Sequence, residues 1–465
     1  MQNIKASQNK FFLSVWIIFL FLLTAYSVYI LLISPQLEIN QQPNTEQIVP
    51  YVSFRIILGI YFFIAILNIK KLFINKIVFG IIIMTGIICR IILIPSQPVL
   101  EDDFYRYLWD GAVTANGFNP YIFSPEDAMS KSSEIPAELK LLAQESNDVI
   151  KNINHPHVRT IYPALSQGVF AISYIIAPWQ SWMWKLILLV FDIALLFFLF
   201  LILKQIKLPL VLISIYWVNP IVMHEFFNAA HMDLLAILFV IISIFLYLKN
   251  KHWMAIVFLA IATGLKLWPM VLLVLFLRPF WKNKQTFIFY FLGYFIIVLI
   301  LFIPVLASNL DESLGFIRYA ERWINNAAVY TFFRDIIFYF MNLIGLQTRI
   351  IPRIAIILVY FIILYFISKR EAGSQVQFLE LALLVVAVLY LISPTQFPWY
   401  YAWIVPLLVF RPKASLLLYA ALLPLYQLNY LSSALVYIQH LPVLALFIWE
   451  IKFKKTDLIF YPEST

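Results

Sequence analysis

The chain has 465 residues, of which 63% are hydrophobic and 12% charged. A soluble domain carries about 25% charged residues, so too little polar surface exists here to cover a water-soluble globule. The excess of Lys+Arg (33) over Asp+Glu (24) gives a formal charge of +9; the 11 glycines form neither a G-x-G-x-x-G nor a G-x-x-x-x-G-K-[ST] phosphate cradle, and the single cysteine, Cys89, excludes an intrachain disulfide and a cysteine-based zinc site.

In chain order, Lys5 and Lys10 precede an apolar run from Phe11 to about Ile33. It is longer than the core of a signal peptide and no small-residue cleavage site follows, so it reads as an anchor. Further runs able to span a bilayer fall at 52–68, 74–95, 183–203, 208–223, 232–248, 285–306, 350–368, 377–393, 399–410, 414–429 and 433–451. Three more apolar stretches, 161–178, 252–278 and 329–347, have no obvious place among these crossings. The fold class is therefore an all-α polytopic membrane protein.

Charge orients the crossings. Short basic connections occur at Lys70-Lys71 with Lys76, Lys204 with Lys207, Lys249 with Lys251, Arg278 with Lys282 and Lys284, and Arg411 with Lys413; Lys369-Arg370 and Lys452, Lys454 and Lys455 complete the set. The positive-inside rule puts these in the cytoplasm. The parity that results gives about twelve crossings (eleven to fourteen) with both termini inside. Segments 161–178 and 329–347 then begin and end outside, as re-entrant or surface-lying helices, whereas 252–278 is a re-entrant pair or two short crossings around Gly264 and Lys266. The outer face holds 96–160, the turn near 224–232, 307–330 and 394–400. No internal repeat is found, the whole chain, 1–465, reads as one membrane domain, and no nucleic-acid partner is expected.

The 96–160 loop opens with Glu101-Asp102-Asp103, three adjacent carboxylates at a membrane boundary. Mutual repulsion raises the proton affinity of at least one of them unless a cation is close. Such a group can serve as general base toward a hydroxyl or ligate a divalent ion such as Mg²⁺ or Mn²⁺, and both options stay open. Aromatics running through Tyr105 and Trp109 offer flat apolar faces for sugar rings, and suit an interfacial belt as well. Ser133 to Ile150 has the pattern of an amphipathic helix lying on the outer surface. His155-Pro156-His157 reads as a turn, because the proline limits chelation and no third ligand is evident.

These residues resemble a known family. Asp103-x-Tyr105-Arg106-Tyr107-x-Trp109-Asp110-Gly111, with Gly117-x-Asn119-Pro120-Tyr121, resembles the first-loop signature of bacterial polyprenyl-phosphate-mannose-dependent mannosyltransferases. That group lies in the GT-C superfamily with the first mannosyltransferase of GPI-anchor synthesis. Tyr162-Pro163 with Gln167 is similar to a Tyr-Pro-Pro element, Ala164 standing at the second proline. Trp217-x-Asn219-Pro220 with Glu225, Asn228, His231 and Asp233, then Lys266-x-x-Pro269, then Trp399-Tyr400 with Pro406, resemble later blocks and arrive in the family's order.

The resemblance implies a GT-C fold and an inverting transfer of a hexose, mannose by analogy, from a polyprenyl-phosphate donor. The acceptor would be a glycan, glycolipid or protein on the non-cytoplasmic face, which is the periplasmic side of the inner membrane in a bacterium. Asp103 or Asp102, with Glu101 beside them, would be the catalytic carboxylate, as base toward the acceptor hydroxyl or as metal ligand. Arg106, Tyr105, Trp109, Asp110, Tyr162, His231, Asp233, Lys266, Arg318, Arg322, Trp399 and Tyr400 would contact substrate. Lys266, Arg106, Arg318 and Arg322 are the candidates to meet the leaving phosphate, with pairing of Lys266 to Asp233, Asp192 or Glu380 as the alternative reading. The competing function is a transporter or flippase. Against it stand the missing repeat and the carboxylates gathered at one outer loop and not at the midplane.

Overall fold

The computed structural model describes residues 2–71, 76–346 and 348–453. Positions 74 and 75 of one predicted run, position 347 of another, and the basic residues Lys454 and Lys455 lie outside the described residues. Among the described residues every regular element is helical, with one isolated bridge between Asn325 and Thr395.

Eight of the twelve predicted runs are helices long and apolar enough to cross a membrane: Phe11–Gln36, Thr45–Leu67, Lys76–Leu93, Ser181–Gln205, Lys284–Leu301, Ile350–Lys369, Gln375–Ile392 and Ala434–Phe453. The other four are interrupted or short, mostly at prolines, which lack the N–H a helix interior needs and push the preceding residue out of the α region. Run 208–223 breaks at Asn219-Pro220 into Leu210–Trp217 and Pro220–Asn228, bent by 49°. The Asn219 side chain caps the restart, accepting from the backbone N–H of Ile221 (2.9 Å) and Val222 (3.4 Å). Run 399–410 becomes two single turns behind Pro398 and Pro406, and 414–429 is divided before Pro424. Run 232–248 is one helix of 16 residues, Asp233–Leu248.

The three unplaced stretches also resolve into helices. Ala164–Ile176 starts after Pro163, Ala328–Leu343 occupies the third stretch, and 252–278 gives His252–Leu265 followed by the short apolar Trp268–Phe280. The predicted amphipathic helix over 133–150 differs from expectation. It starts only after Pro136, as Ala137–Glu145, and is broken at Asn147, whose φ is 49°, before Asp148–Lys151. Its apolar side (Leu139, Leu142, Ala143, Ile150) is buried in one core with Trp109, Ala112 and Val113, and is therefore not a face left for lipid.

The chain divides into two compact units, one of Met1–Val99, Leu199–Asn228 and Ile324–Thr465, the other of Leu100–Phe198 and Ala229–Trp323. In the first unit, buried polar groups are matched locally. His224 is held at Nδ1 by Tyr26 (2.8 Å) and at Nε2 by Tyr51 (2.9 Å), and Arg55 pairs with Glu225 at 2.9 Å. Arg90 donates to the carbonyls of Gly86 (3.0 Å) and Trp217 (2.8 Å) and lies 3.5 Å from the Trp217 ring centroid, a stacked arrangement that compensates a guanidinium in an apolar setting. Glu380 takes Arg411 (2.6 Å) and Lys413 (3.1 Å), which removes it as a partner for Lys266.

In the second unit, helix Asp103–Ala115 lies along Ala164–Ile176. The pair comes close because Gly111 has no side chain: a Cβ there would sit 2.5 Å from the carbonyl oxygen of Phe170. Asp233–Leu248 and His252–Leu265 are antiparallel neighbours, joined by Ser243 Oγ donating to the Ala255 carbonyl (2.6 Å) and by an ion pair at their opposite ends.

A glycine contrast tests the packing of the first unit. A Cβ on Gly59 would overlap the Ala420 backbone carbonyl, whereas one on Gly80 meets nothing within 4 Å. Gly59→Ala should cost about 1–3 kcal/mol by overpacking, and Gly80→Ala should gain up to ~1 kcal/mol from helix propensity. Thermal melting in detergent would show G59A well below G80A; equal melting temperatures would mean the helices do not approach as described.

Candidate active site

Glu101, Asp102 and Asp103 stand where an irregular strand turns into helix Asp103–Ala115. Leu100, immediately before them, has φ 56°, a left-handed conformation that costs a non-glycine residue of order 1 kcal/mol. Asp103 lies in the first helical turn, where a carboxylate is favoured by the helix dipole. Spacing along this helix sorts its residues. Asp103, Arg106, Tyr107, Asp110 and Gly111 recur at three- and four-residue steps and share one face, while Trp109 points elsewhere.

Arg106 and Asp110 form a buried scaffold. Arg106 Nε donates to Asp110 at 3.0 Å and its Nη2 to the Val158 carbonyl at 2.8 Å. Gln167 joins them, donating to Asp110 (3.2 Å) and Thr160 (2.9 Å). Burial pushes the Asp110 carboxyl up in proton affinity, and Arg106 draws it back. Trp109, expected to stack a sugar, is only 2% exposed and sits in the core with Leu139 and Leu142. Tyr105 packs against Phe104, ring centroids 4.0 Å apart.

The opposite fate meets the triplet, which gathers donors. Asn154 Nδ2 reaches Asp102 Oδ1 at 2.6 Å and Asp103 Oδ1 at 3.3 Å, so one amide serves both carboxylates. The Tyr162 hydroxyl favours the ionised form of Asp103. Tyr162 is fixed in turn: its carbonyl accepts from Tyr121 (2.5 Å) and its ring meets Tyr107 edge-on at 5.0 Å. Tyr107 stacks on Phe170 at 4.8 Å, and Phe170 abuts Trp184 at 5.1 Å.

His231 and Asp233 complete the cluster from a second direction. The turn before them contains Ala230 at φ 65°, whose carbonyl accepts from Trp184 Nε1 at 2.7 Å. His231 Nε2 is 3.7 Å from Glu101 and Nδ1 is 3.8 Å from Asp103. Burial, reinforced by Lys266, holds the imidazole pKa far below its usual value; these are therefore approaches of a neutral ring and not ion pairs. Asp233, in the first turn of its helix, accepts from Lys266 Nζ at 2.6 Å. That is the pairing the sequence offered as one of three for Lys266.

Proton affinities of both aspartates are raised. Asp102 is pushed up to about 7 by burial first and by the Asp103 charge second, with Asn154 pulling the other way. Asp103 is raised by burial and by Asp233, but Asn154, Lys266 and Tyr162 all oppose the rise.

Arg318 and Arg322 share the helix Gly315–Arg322 as expected. Arg322 is 49% exposed and 3.6 Å from Glu312, an ion pair worth at most about 1 kcal/mol. Arg318 is one of the charges that, after burial and His157, depress the His155 pKa. The segment leading to this helix is tied down by Arg159, which donates to the Tyr121 carbonyl (2.9 Å), the Asn309 carbonyl (2.6 Å) and Asp311 (2.8 Å). Trp399 and Tyr400 belong to the other unit, where Trp399 stacks on Phe397 at 4.3 Å and Tyr400 on Trp403 at 4.4 Å.

Asn154, Arg159 and Thr160 were not singled out from the sequence. Asn154 sits in a polar run before the His155-Pro156-His157 turn, and only the turn gave a signal. Asp102 and Asp103 turn one oxygen each, Oδ1, to the Asn154 amide.

Comparison with known proteins adds the family. The model described as alpha-(1->6)-mannopyranosyltransferase, N-terminal domain, matches residues 42–282, just over half of the chain and all of the triplet, Asn154, Tyr162, His231, Asp233 and Lys266. No curated protein and no solved structure matches. With a family match of that extent, the chain belongs to the alpha-(1->6)-mannopyranosyltransferases, GT-C-type glycosyltransferases that pass mannose from a sugar donor to a glycan acceptor.

Proposed function

We propose that the protein transfers mannose from polyprenyl-phosphate mannose to a hydroxyl of a glycan, glycolipid or protein acceptor by a single inverting displacement on the non-cytoplasmic face of the membrane. The observation that carries this reading is the carboxylate pair held on one amide, with a lysine acting on the same group. Asp102 takes the proton of the acceptor hydroxyl. The oxygen so activated forms a bond to C1 of mannose as the bond from C1 to the lipid phosphate breaks, and the phosphate leaves with the electron pair. An α-linked product formed with inversion calls for a β-linked donor, a demand a polyprenyl-phosphate sugar can meet.

Asp103, pinned by Tyr162 and Asn154, orients the acceptor beside the base. Lys266, set by Asp233, is the cation for the departing phosphate, because fixed positive charge in a water-poor site acts strongly on developing negative charge. Glu101 and His231 line the same cluster. Arg318 and Arg322 stay assigned to the lipid-phosphate approach, and Tyr105, Trp399 and Tyr400 to apolar contact with the substrate. Arg106, Asp110 and Trp109 support the site from within the protein core and do not touch substrate.

The topology proposed is that of about twelve crossings with both termini cytoplasmic. The eight long helices, the bent pair, Asp233–Leu248, 398–408, 414–428 and the arrangement of basic loops support it. The whole chain acts as one membrane domain of the bacterial inner-membrane kind, with 96–160 as its outer catalytic loop. Membership of a transferase family leaves no observation that favours the transporter reading.

Three outcomes are expected. Asp102→Asn and Asp103→Asn should each lower kcat by about 10²–10⁴ with donor KM changed little, the range a positioned general base and its partner supply; transfer from radiolabelled polyprenyl-phosphate mannose at wild-type rate in both variants would remove the pair from the mechanism. Because a carboxyl with a pKa of about 7 is protonated below that pH and anionic above it, kcat/KM should rise about tenfold per pH unit on the acid side and level off above about 7. A plateau reaching down to pH 5 would exclude Asp102 as the base. In a Cys89→Ser background, an impermeant maleimide applied to intact cells should label Glu134→Cys and spare Lys282→Cys; the reverse pattern would invert the topology.

A further inference from the structure

Two acidic side chains adjacent in sequence ordinarily diverge, since each needs its own solvation and their charges repel. At about 4 Å two unit charges repel by about 4 kcal/mol at an effective dielectric near 20. Here they turn to the same donor, Asn154, which lies half a loop away in sequence. The amide is itself delivered by a well-determined turn. His155, next to it, has φ 48°, and the Val158 N–H returns to the His155 carbonyl at 2.9 Å. The Glu126 N–H bonds the Pro156 carbonyl at 3.0 Å, and Arg106 holds the Val158 carbonyl at 2.8 Å. Trp323 lies against the His155 ring, centroids 4.8 Å apart. Four independent contacts thus fix a five-residue loop whose one side chain aimed at the triplet is a neutral double donor.

From this geometry we infer that Asn154 is a positioning residue for mannosyl transfer, an amide clamp that holds the Asp102 and Asp103 carboxylates at a fixed mutual orientation. A neutral donor can do this without cancelling either charge, whereas a lysine or a divalent ion in the same place would neutralise the base it positions. The inference rests on the proposed role of the carboxylate pair. The arrangement also accounts for Arg106 and Asp110 lying in the family signature without meeting substrate. Their ion pair fixes the Val158 carbonyl, hence the turn, hence the amide.

The test is a series at one position, assayed for transfer from polyprenyl-phosphate mannose beside D102N and D103N. Asn154→Ser keeps one donor, Asn154→Ala none, and Asn154→Asp replaces the donor with a third negative charge. The clamp predicts kcat in the order wild type, N154S, N154A, N154D, with at least tenfold lost in N154A, more in N154D, and donor KM within about threefold throughout. A role confined to turn stability predicts a different order, because Asp and Ser favour such turns and Ala does not; N154D would then be among the mildest. N154D at or above N154A, or N154A with wild-type kcat, overturns the inference. If one variant cannot be purified as a monodisperse protein, the ranking of the other two against wild type decides in the same way. Inactive D102N and D103N alongside wild-type-like Asn154 variants would sink the clamp alone, whereas active D102N and D103N would sink the catalytic reading on which it stands.

Discussion

The constraint behind this site is the gathering of negative charge where water is scarce. Glu101, Asp102, Asp103 and Asp233 all belong to one unit, and Glu101 and Asp233 are almost wholly buried. An ionised carboxylate without compensation in such a place costs several kcal/mol. Three of them are met by a donor of a particular kind: a lysine for Asp233 and one shared amide for Asp102 and Asp103. The second unit can be read as the set of elements needed to bring those donors together. Helix Asp103–Ala115 carries the acids, the turn at 154–158 the amide, Pro163 and the start of Ala164–Ile176 fix Tyr162, and the end of His252–Leu265 carries Lys266.

Helical spacing explains why the signature around residue 103 is so dense. Asp103 at the helix start and Gly111 two turns later share a face, with Arg106, Tyr107 and Asp110 between them. Asp103 faces the donors, the middle residues brace the loop, and Gly111 lets the Phe170 backbone come near. A motif read in one dimension presents all of these as equals. In three dimensions the first residue meets the Asn154 amide, whereas Arg106 and Asp110 pair with each other and Gly111 packs against Phe170.

Much of this was legible in the chain itself. The apolar runs that became eight long helices carry their own signal in length and composition, and the family resemblance is matched over residues 42–282. The breaks at Pro220, Pro398 and Pro406 were present as prolines, yet hydropathy outweighs a single proline when runs are drawn by composition. Lys266 with Asp233 was one of three pairings that burial alone allowed, and the antiparallel course of the two helices between them selects it. Trp109 misled because a tryptophan in an acidic, aromatic loop looks equally suited to a sugar or to a core, and the choice depends on Leu139 and Leu142, some thirty residues away. Asn154 was invisible for a related reason: a single asparagine in a polar loop has no pattern, and its importance arises only from what the fold sets opposite it.

The pairing of unlike donors with like acids has a mechanistic consequence. Two carboxylates can take different roles when their surroundings separate their proton affinities. Asp102 has burial and the charge of Asp103 raising it and one neutral amide opposing, so it holds a proton most readily near neutrality. Asp103 has in addition a phenol and the field of Lys266, which favour its ionised form. In the proposed displacement the first is suited to accept a proton and the second to remain an anion that orients the acceptor. Lys266 is paired with Asp233, and in the proposed displacement its charge acts on the leaving phosphate while Asp102 keeps its basicity. A lysine in place of Asn154 would collapse that separation, since it would stabilise both anions equally and leave neither able to bind a proton at neutral pH.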